Sequence, residues 1–273
     1  MHRPKKAAGA ALAAVAVVGT LAVSGPPPET ATAAARGLWG AVTIAPGREG
    51  IVEASGYEGA ALGAGSVLTL TAPEGSEVTG VPFAGSGYRG VVVSGGGGGT
   101  YTFTGAASDA EGTEGAEGAE VTGSAAAQGW QGRTFPFVLA VAPDAVPGTR
   151  LRGCVLRLTD AGGAVQDQGT CEVTVGLPGP TLTRPESGVP LPARPEIAGT
   201  AYPGAQVTVR DALESEVCAT TATAAGSWSC VPDPALPSGP GRLQATATLN
   251  GVSGTSEQIA ITVAGAAGAA DRS

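Results

Sequence analysis

Past residue 6 the sequence holds neither histidine nor lysine. His2 is the only histidine of 273 residues, and Lys5 and Lys6 are the only lysines. A Ser-His-Asp triad or a histidine-ligated metal therefore cannot be assembled from the rest of the chain. Without lysine there is no Schiff base, Ser-Lys pair or P-loop. Gly-x-Ser-x-Gly and the dinucleotide fingerprint are also missing, and Gly85-Ser86-Gly87 is better explained as a loop. Aromatics are scarce, with three Trp, four Tyr and four Phe spread over the whole length. Two carboxylates would suffice for a glycosidase, but such enzymes line their clefts with rings. A carboxylate-based hydrolase is thus the weakest functional reading. No catalytic residue, cofactor or metal site is expected.

Long hydrophobic runs are lacking too, except at the start. Arg3, Lys5 and Lys6 precede an uncharged Ala/Val/Leu/Gly run from Ala7 to Val23, and Pro26-Pro27-Pro28 follows it. Ala33-Ala34-Ala35 then supplies small residues before Arg36. That order is the pattern of a secretory signal. As a helix, the run would reach only about 26 Å at ~1.5 Å per residue, short of the ~30 Å hydrocarbon layer. Residues 1–35 are therefore expected to be cleaved, leaving no stable membrane insertion. A lipobox cysteine and a twin-arginine pair are absent.

The processed chain would carry 12 arginines (15 Lys+Arg less Arg3, Lys5 and Lys6) against 22 carboxylates (23 less Glu29), for 12 − 22 = −10. Such a charge repels phosphate backbones, so no nucleic-acid partner is expected. It also opposes docking on anionic lipid. Partners outside the cell remain, either cell-wall or extracellular polysaccharide or protein, and the sequence does not choose between them. No sorting signal or hydrophobic tail is read after Val263, so the protein is expected to be secreted or, failing that, cell-envelope associated.

The expected fold class is all-β: two Ig-like/β-sandwich domains joined by a Pro-rich linker. Domain boundaries are expected at 36–176 and 195–264, with the linker over 177–194 and a disordered tail over 265–273. Pro178, Pro180, Pro185, Pro190 and Pro192 make the linker read as a stiff, extended spacer. Upstream strands are predicted at Ala41–Ile44, Ser66–Ala72, Gly90–Ser94, Thr100–Thr104, Thr134–Ala142, Arg150–Thr159 and Thr170–Val175. In the clearest of them Phe135, Phe137, Leu139 and Val141 share one face. Pro136 within that strand predicts an edge position or a bulge. Downstream strands are predicted at Glu196–Thr200, Ala205–Asp211, Val217–Thr223, Ser227–Val231, Arg242–Leu249 and Gln258–Val263.

Residues 105–131 lose this pattern. Asp109, Glu111, Glu114, Glu117 and Glu120 stand among Gly, Ala and Thr, too little apolar surface to offset the ordering entropy. A disordered acidic loop is expected there, with the glycine run Gly95–Gly99 as a second flexible stretch before it. The acidic spacing defines no calcium cage.

Four cysteines survive export. The midpoint of Cys154 and Cys171 falls between Gly162 and Gly163, and that of Cys218 and Cys230 falls beside Ala225-Gly226. Hairpins centred there would set each pair opposite on adjacent strands. The expected disulfides are therefore Cys154–Cys171 and Cys218–Cys230, one per domain. Each closes a loop of roughly 15 residues, worth about 3 kcal/mol in the chain-entropy model. Spacings of 12 and 17 without histidine suit neither zinc nor a redox Cys-x-x-Cys.

Pro195 to Val209 reads Pro-Glu-Ile-Ala-Gly-Thr-Ala-Tyr-Pro-Gly-Ala-Gln-Val-Thr-Val, and Cys218 is followed by Gly226-Ser227-Trp228-Ser229-Cys230. Residues 195–263 in this way resemble the bacterial Ig-like modules found in tandem on secreted and surface proteins. The resemblance implies a sandwich fold and a spacer, stalk or accessory role. Phe137 to Thr149, with the two strands after it, is more weakly similar to the late strands of bacterial extracellular β-sandwich repeats. Trp228, next to a disulfide, reads as the main ring of its core. The rival to a plain structural or binding role is an adhesion or carbohydrate-binding accessory module. It would need Trp130, Tyr88 and Trp39 as ligand-facing aromatics, although Trp130 at a strand entry reads more simply as buried.

Overall fold

Alternation of apolar and polar side chains with β-branched enrichment gives period-2 segments, and Gly, Pro and Asp punctuate them. The computed structural model describes residues 37–82, 87–105, 129–186 and 188–265. The expected signal, residues 106–128 of the acidic loop, Gly85-Ser86 and the tail beyond 265 lie outside the described residues. Every regular element among the described residues is a strand.

The upstream strands are β1 (Trp39–Ile44), β2 (Glu49–Ala54), β3 (Val67–Thr71), β4 (Ser76–Gly80), β5 (Tyr88–Val92), β6 (Gly98–Phe103), β7 (Phe135–Val141), β8 (Arg150–Leu151), β9 (Val155–Thr159) and β10 (Val165–Val175). A seven-stranded sheet runs β1-β10-β9-β3-β6-β5, with β8 also on β10, and a three-stranded sheet runs β2-β7-β4. One hydrophobic cluster from Leu38 to Val175 gathers the inward residues of both sheets. On β7 the alternation is complete, with Phe135, Phe137, Leu139 and Val141 all buried. β1 pairs with β10 in parallel, from Trp39 opposite Thr170 to Ile44 opposite Val175.

The downstream strands are β11 (Thr181–Arg184), β12 (Pro190–Leu191), β13 (Ile197–Thr200), β14 (Gln206–Asp211), β15 (Glu216–Thr221), β16 (Ser227–Cys230), β17 (Gly239–Leu249), β18 (Val252–Thr255) and β19 (Ile259–Val263). They form a three-stranded sheet β11-β13-β16 and a six-stranded sheet β12-β19-β17-β14-β15, with β18 also on β17. A second cluster, Leu177 to Val263, lies between them. Trp228 is its only tryptophan, and the ring packs over Gly199, its cross-strand partner.

Four expectations need correction. Pro136 is not on an edge strand, because β7 lies between β2 and β4. The proline is tolerated since pairing with β4 stops at Gly80 opposite Val138, two residues short of it. Residues 177–194 do not run as a free spacer. Leu177 and Leu191 are buried in the second cluster, β11 pairs with β13, and β12 pairs in parallel with β19. Both strands stand at sheet edges, the place open to segments that lack donors. The glycine run is not flexible either. Gly95 and Gly96 take positive φ in the β5–β6 turn, and Gly98 and Gly99 are buried in β6. A Cβ at Gly98 would stand 2.5 Å from the Leu70 carbonyl oxygen, so the run is glycine for close approach. Lastly, 150–159 is two strands, interrupted at Gly153 with φ +86°.

Candidate functional site

Tyr88 on β5, Phe103 on β6, Phe135 on β7 and Trp130 just before β7 come together at the end of the first core. Ring centroids are 5.1 Å apart for Tyr88–Phe103, 5.2 Å for Tyr88–Trp130 and 4.8 Å for Trp130–Phe135. Tyr101 continues the cluster toward Phe137 at 5.0 Å. The Trp130 indole donates to Ser66 Oγ at 2.7 Å, and Ser66 Oγ donates to the Gly63 carbonyl at 2.7 Å. Arg133 lies 5.8 Å from the centre of the Tyr88 ring. Burial pushes the Tyr88 phenol above its ordinary pKa, and the Arg133 charge partly offsets that.

The ligand-facing expectation fails for two of the three aromatics. Trp130 and Tyr88 lie side by side but are buried, at 2% and 5% exposure. A thin aliphatic core needs their area, and each ring contributes more by packing than by display. Trp39 alone is open, at 49%. It sits at the start of β1 on the outer face of the seven-stranded sheet, with its ring edge against Gly56.

The cysteines stand in two pairs at disulfide distance. Cys154 and Cys171 have Cα atoms 5.2 Å apart, and Cys218 and Cys230 are 6.1 Å apart. The first pair sits one step beyond the Val155–Thr170 register of the β9–β10 hairpin, as the turn at Gly162-Gly163 implies. The second has the expected partners but not the expected geometry. Cys218 is on β15 of the six-stranded sheet, while Cys230 is on β16 of the three-stranded one. The turn begins as a hairpin, with Thr223 N–H donating to the Ser227 carbonyl at 2.8 Å. It then diverges, because Ala222 N–H donates to Ala205 and Ala201 N–H to Gly226. The pair therefore bridges the two layers.

Several carboxylates in turns and strands serve the backbone. Asp160 Oδ1 accepts from Gly162 and Ala164 N–H, both at 2.9 Å. Asp211 Oδ1 accepts from Leu213 at 2.8 Å and Ser215 at 2.9 Å. Asp167 Oδ2 accepts from Leu38 N–H at 3.2 Å. Three exposed ion pairs, Arg150–Glu172, Arg184–Glu196 and Arg194–Asp233, contribute about 0–1 kcal/mol each. Among the described residues no group of three or more His, Cys, Asp or Glu side chains is placed to hold a metal.

An apolar groove of about 270 Å³ lies at one end of the second core. It exists because β17 starts at Gly239 while its pairing with β14 starts only at Leu243 opposite Asp211. Leu236, Pro237, Pro240, Ile261 and Val263 line it, and Leu213 rises beside it at 84% exposure. The turn carrying Leu213 is held by Asp211 and by Arg210, whose Nη1 donates to the Glu214 carbonyl at 2.7 Å. Periodicity gave no sign of this residue, since a turn has none. Strand addition at Gly239–Arg242 is opposed by Pro240, which has no N–H to donate.

No protein-family model matches the chain, and no curated protein matches it. Among solved structures, a biofilm-associated protein BSP domain is similar at 18% identity and TM-score 0.28, over 84% of this chain and 30% of that one. The third cohesin ScaC of Acetivibrio cellulolyticus, in complex with the ScaB dockerin, is similar at 11% identity and TM-score 0.29, over 50% of this chain and 98% of that one. The C-terminal domain of the Streptococcus agalactiae AgI/II polypeptide BspA gives 12% identity and TM-score 0.26, over 82% and 95%. The chain thus spans about 30% of the length of the biofilm-associated protein chain it resembles. All-β assignment rests on the strands and sheets themselves.

Proposed function

We propose that this chain is an exported, non-catalytic structural or binding protein, secreted or held at the cell envelope. The observation that carries the reading is the placement of the cysteines. Four of four stand in pairs at disulfide distance, one pair in each β core. Paired cysteines form and persist in oxidising compartments and are rare in reducing ones. The leader pattern of residues 1–35 supports the same compartment. The lack of histidine and lysine after residue 6 supports a role that uses no imidazole acid-base step and forms no imine. The carbohydrate-binding alternative is not carried further, since Tyr88 and Trp130 are part of the core.

Fractionation of the producing cell tests this directly. The protein is expected in medium or envelope fractions, beginning at or near Arg36, with no thiol titratable before reduction. Recovery from the cytosol with an intact Met1 end and four free thiols would overturn it.

A further inference from the structure

The two cores touch at a turn. β17 and β18 form a hairpin closed by the Leu249–Val252 pair, with Asn250-Gly251 between them at φ +48° and +80°. Asn-Gly is the sequence such a two-residue turn favours. The side chain has a second task. Asn250 Nδ2 donates to the Pro147 carbonyl at 3.0 Å, across 103 residues of sequence. Beside it, Gly148 has φ +86°, and a Cβ there would stand 2.5 Å from Asn250 Cβ and 2.6 Å from its carbonyl oxygen. Gly148 is itself anchored to the first core, its N–H donating to the carbonyl of Val175 at 2.8 Å. Pro147-Gly148 and Asn250-Gly251 are thus fitted to one another in shape and in hydrogen bonding.

Asn250 is also the only asparagine in the chain. It is exposed, and glycine follows it. In that dipeptide the Gly251 amide nitrogen can attack Asn250 Cγ. A new C–N bond forms, the Cγ–Nδ2 bond breaks and ammonia leaves. Water then opens the resulting succinimide to aspartate or isoaspartate. No oxidant or partner molecule is needed.

We propose that Asn250 is a self-modification site whose conversion to a carboxylate releases the two cores from their fixed contact. The product has no N–H to give the Pro147 carbonyl and sets an anionic oxygen against it, so the donor is lost and repulsion replaces it. Departure of Nδ2 as ammonia removes the donor that faces the Pro147 carbonyl. The product does not restore the contact, and the change runs one way.

The test ages the full chain at mildly alkaline pH, maps its peptides, and compares small-angle scattering of fresh and aged protein with that of Asn250→Asp. Asn250→Gly keeps a turn that tolerates positive φ and cannot deamidate. Acid is expected to accumulate at position 250 as the radius of gyration rises in step toward the Asn250→Asp value. Asn250→Gly should start at the larger radius and not change with age. Urea midpoints of the second core should match between wild type and Asn250→Asp, which separates parting from unfolding. Absence of acid at position 250 after ageing, or an Asn250→Asp profile identical to the fresh protein, would overturn the proposal.

Discussion

Cutting the two cysteine pairs separately should cost unequal amounts, and the structure says which costs more. The sequence separations are 17 and 12 residues. Closing loops of those lengths removes about 3 kcal/mol of unfolded-state entropy in each case. Location then adds a second contribution. Cys154 and Cys171 are buried in the first core at 4% and 7% exposure, whereas Cys218 and Cys230 are only partly buried against theirs. Alanine at 154 and 171 leaves space that the core does not refill, at about 1 kcal/mol per buried group lost. Cys154→Ala/Cys171→Ala should therefore cost about 5 kcal/mol, and Cys218→Ala/Cys230→Ala about 3 kcal/mol. Either is a large share of a typical 5–15 kcal/mol total. Urea denaturation followed by fluorescence can separate them, because Trp130 is buried in the first cluster and Trp228 in the second. With urea slopes of about 1–3 kcal/mol per molar, each cut should lower the midpoint of its own tryptophan by about 1 M or more. A midpoint unchanged in either double variant, or a larger loss from the Cys218/Cys230 pair, would refute the reasoning.

Gly169→Ala should detach β1, because a Cβ there would collide with the Leu38 backbone carbonyl. Losing the burial of Leu38 and Ile44 costs about 1.5–3 kcal/mol each, and a Trp130 urea midpoint equal to wild type would contradict it. Trp228 Nε1 is buried without a hydrogen-bond partner among the described residues. Trp228→Phe should thus lose apolar area while shedding an unsatisfied donor that costs about 1–3 kcal/mol, leaving stability within about 1 kcal/mol by urea titration. Tyr57, whose hydroxyl donates to the Ala60 carbonyl at 2.6 Å, has its pKa raised, first by burial and then by the Asp167 charge. The unfolded chain ionises this phenol from pH about 10, before the folded protein does. Its contribution to stability is therefore complete below that pH and is lost as pH rises through the higher folded value. Tyr57→Phe should make the alkaline decline shallower, and an unaltered slope of stability against pH would count against the assignment.

Much of the fold could be read from alternation alone. Phe135, Phe137, Leu139 and Val141 on β7, and Val207 and Val209 on β14, face inward as their spacing requires. β2 and β4 were not legible, because Glu49, Gly50, Ser76 and Gly80 dilute the pattern. Gly50 is in β2 for closeness: a Cβ there would stand 2.6 Å from Ile44 Cγ1. Prolines misled twice. Reading Pro-rich as spacer ignored that edge strands accept proline, and reading Pro136 as an edge marker ignored that a short neighbour leaves a central strand half open. Cysteine partners followed from midpoints, but the placement of Cys218 and Cys230 across two layers depended on backbone bonds from Ala201 and Ala222 that no spacing encodes. Neither the Leu213 turn nor the Asn250–Pro147 contact could be read at all. Both come from loops whose positions tertiary structure sets.

The parallel pairing of β1 with β10 decides how tension would travel through the first module. β1 enters and β10 leaves beside each other, pointing the same way along six matched residues. Pulling the chain by its two ends loads that ladder in shear, so its hydrogen bonds share the force and must break together. The corresponding contact of β12 with β19 has only two matched residues, one of them Pro190. A stretched chain should therefore yield at the second module first, while the first keeps its length.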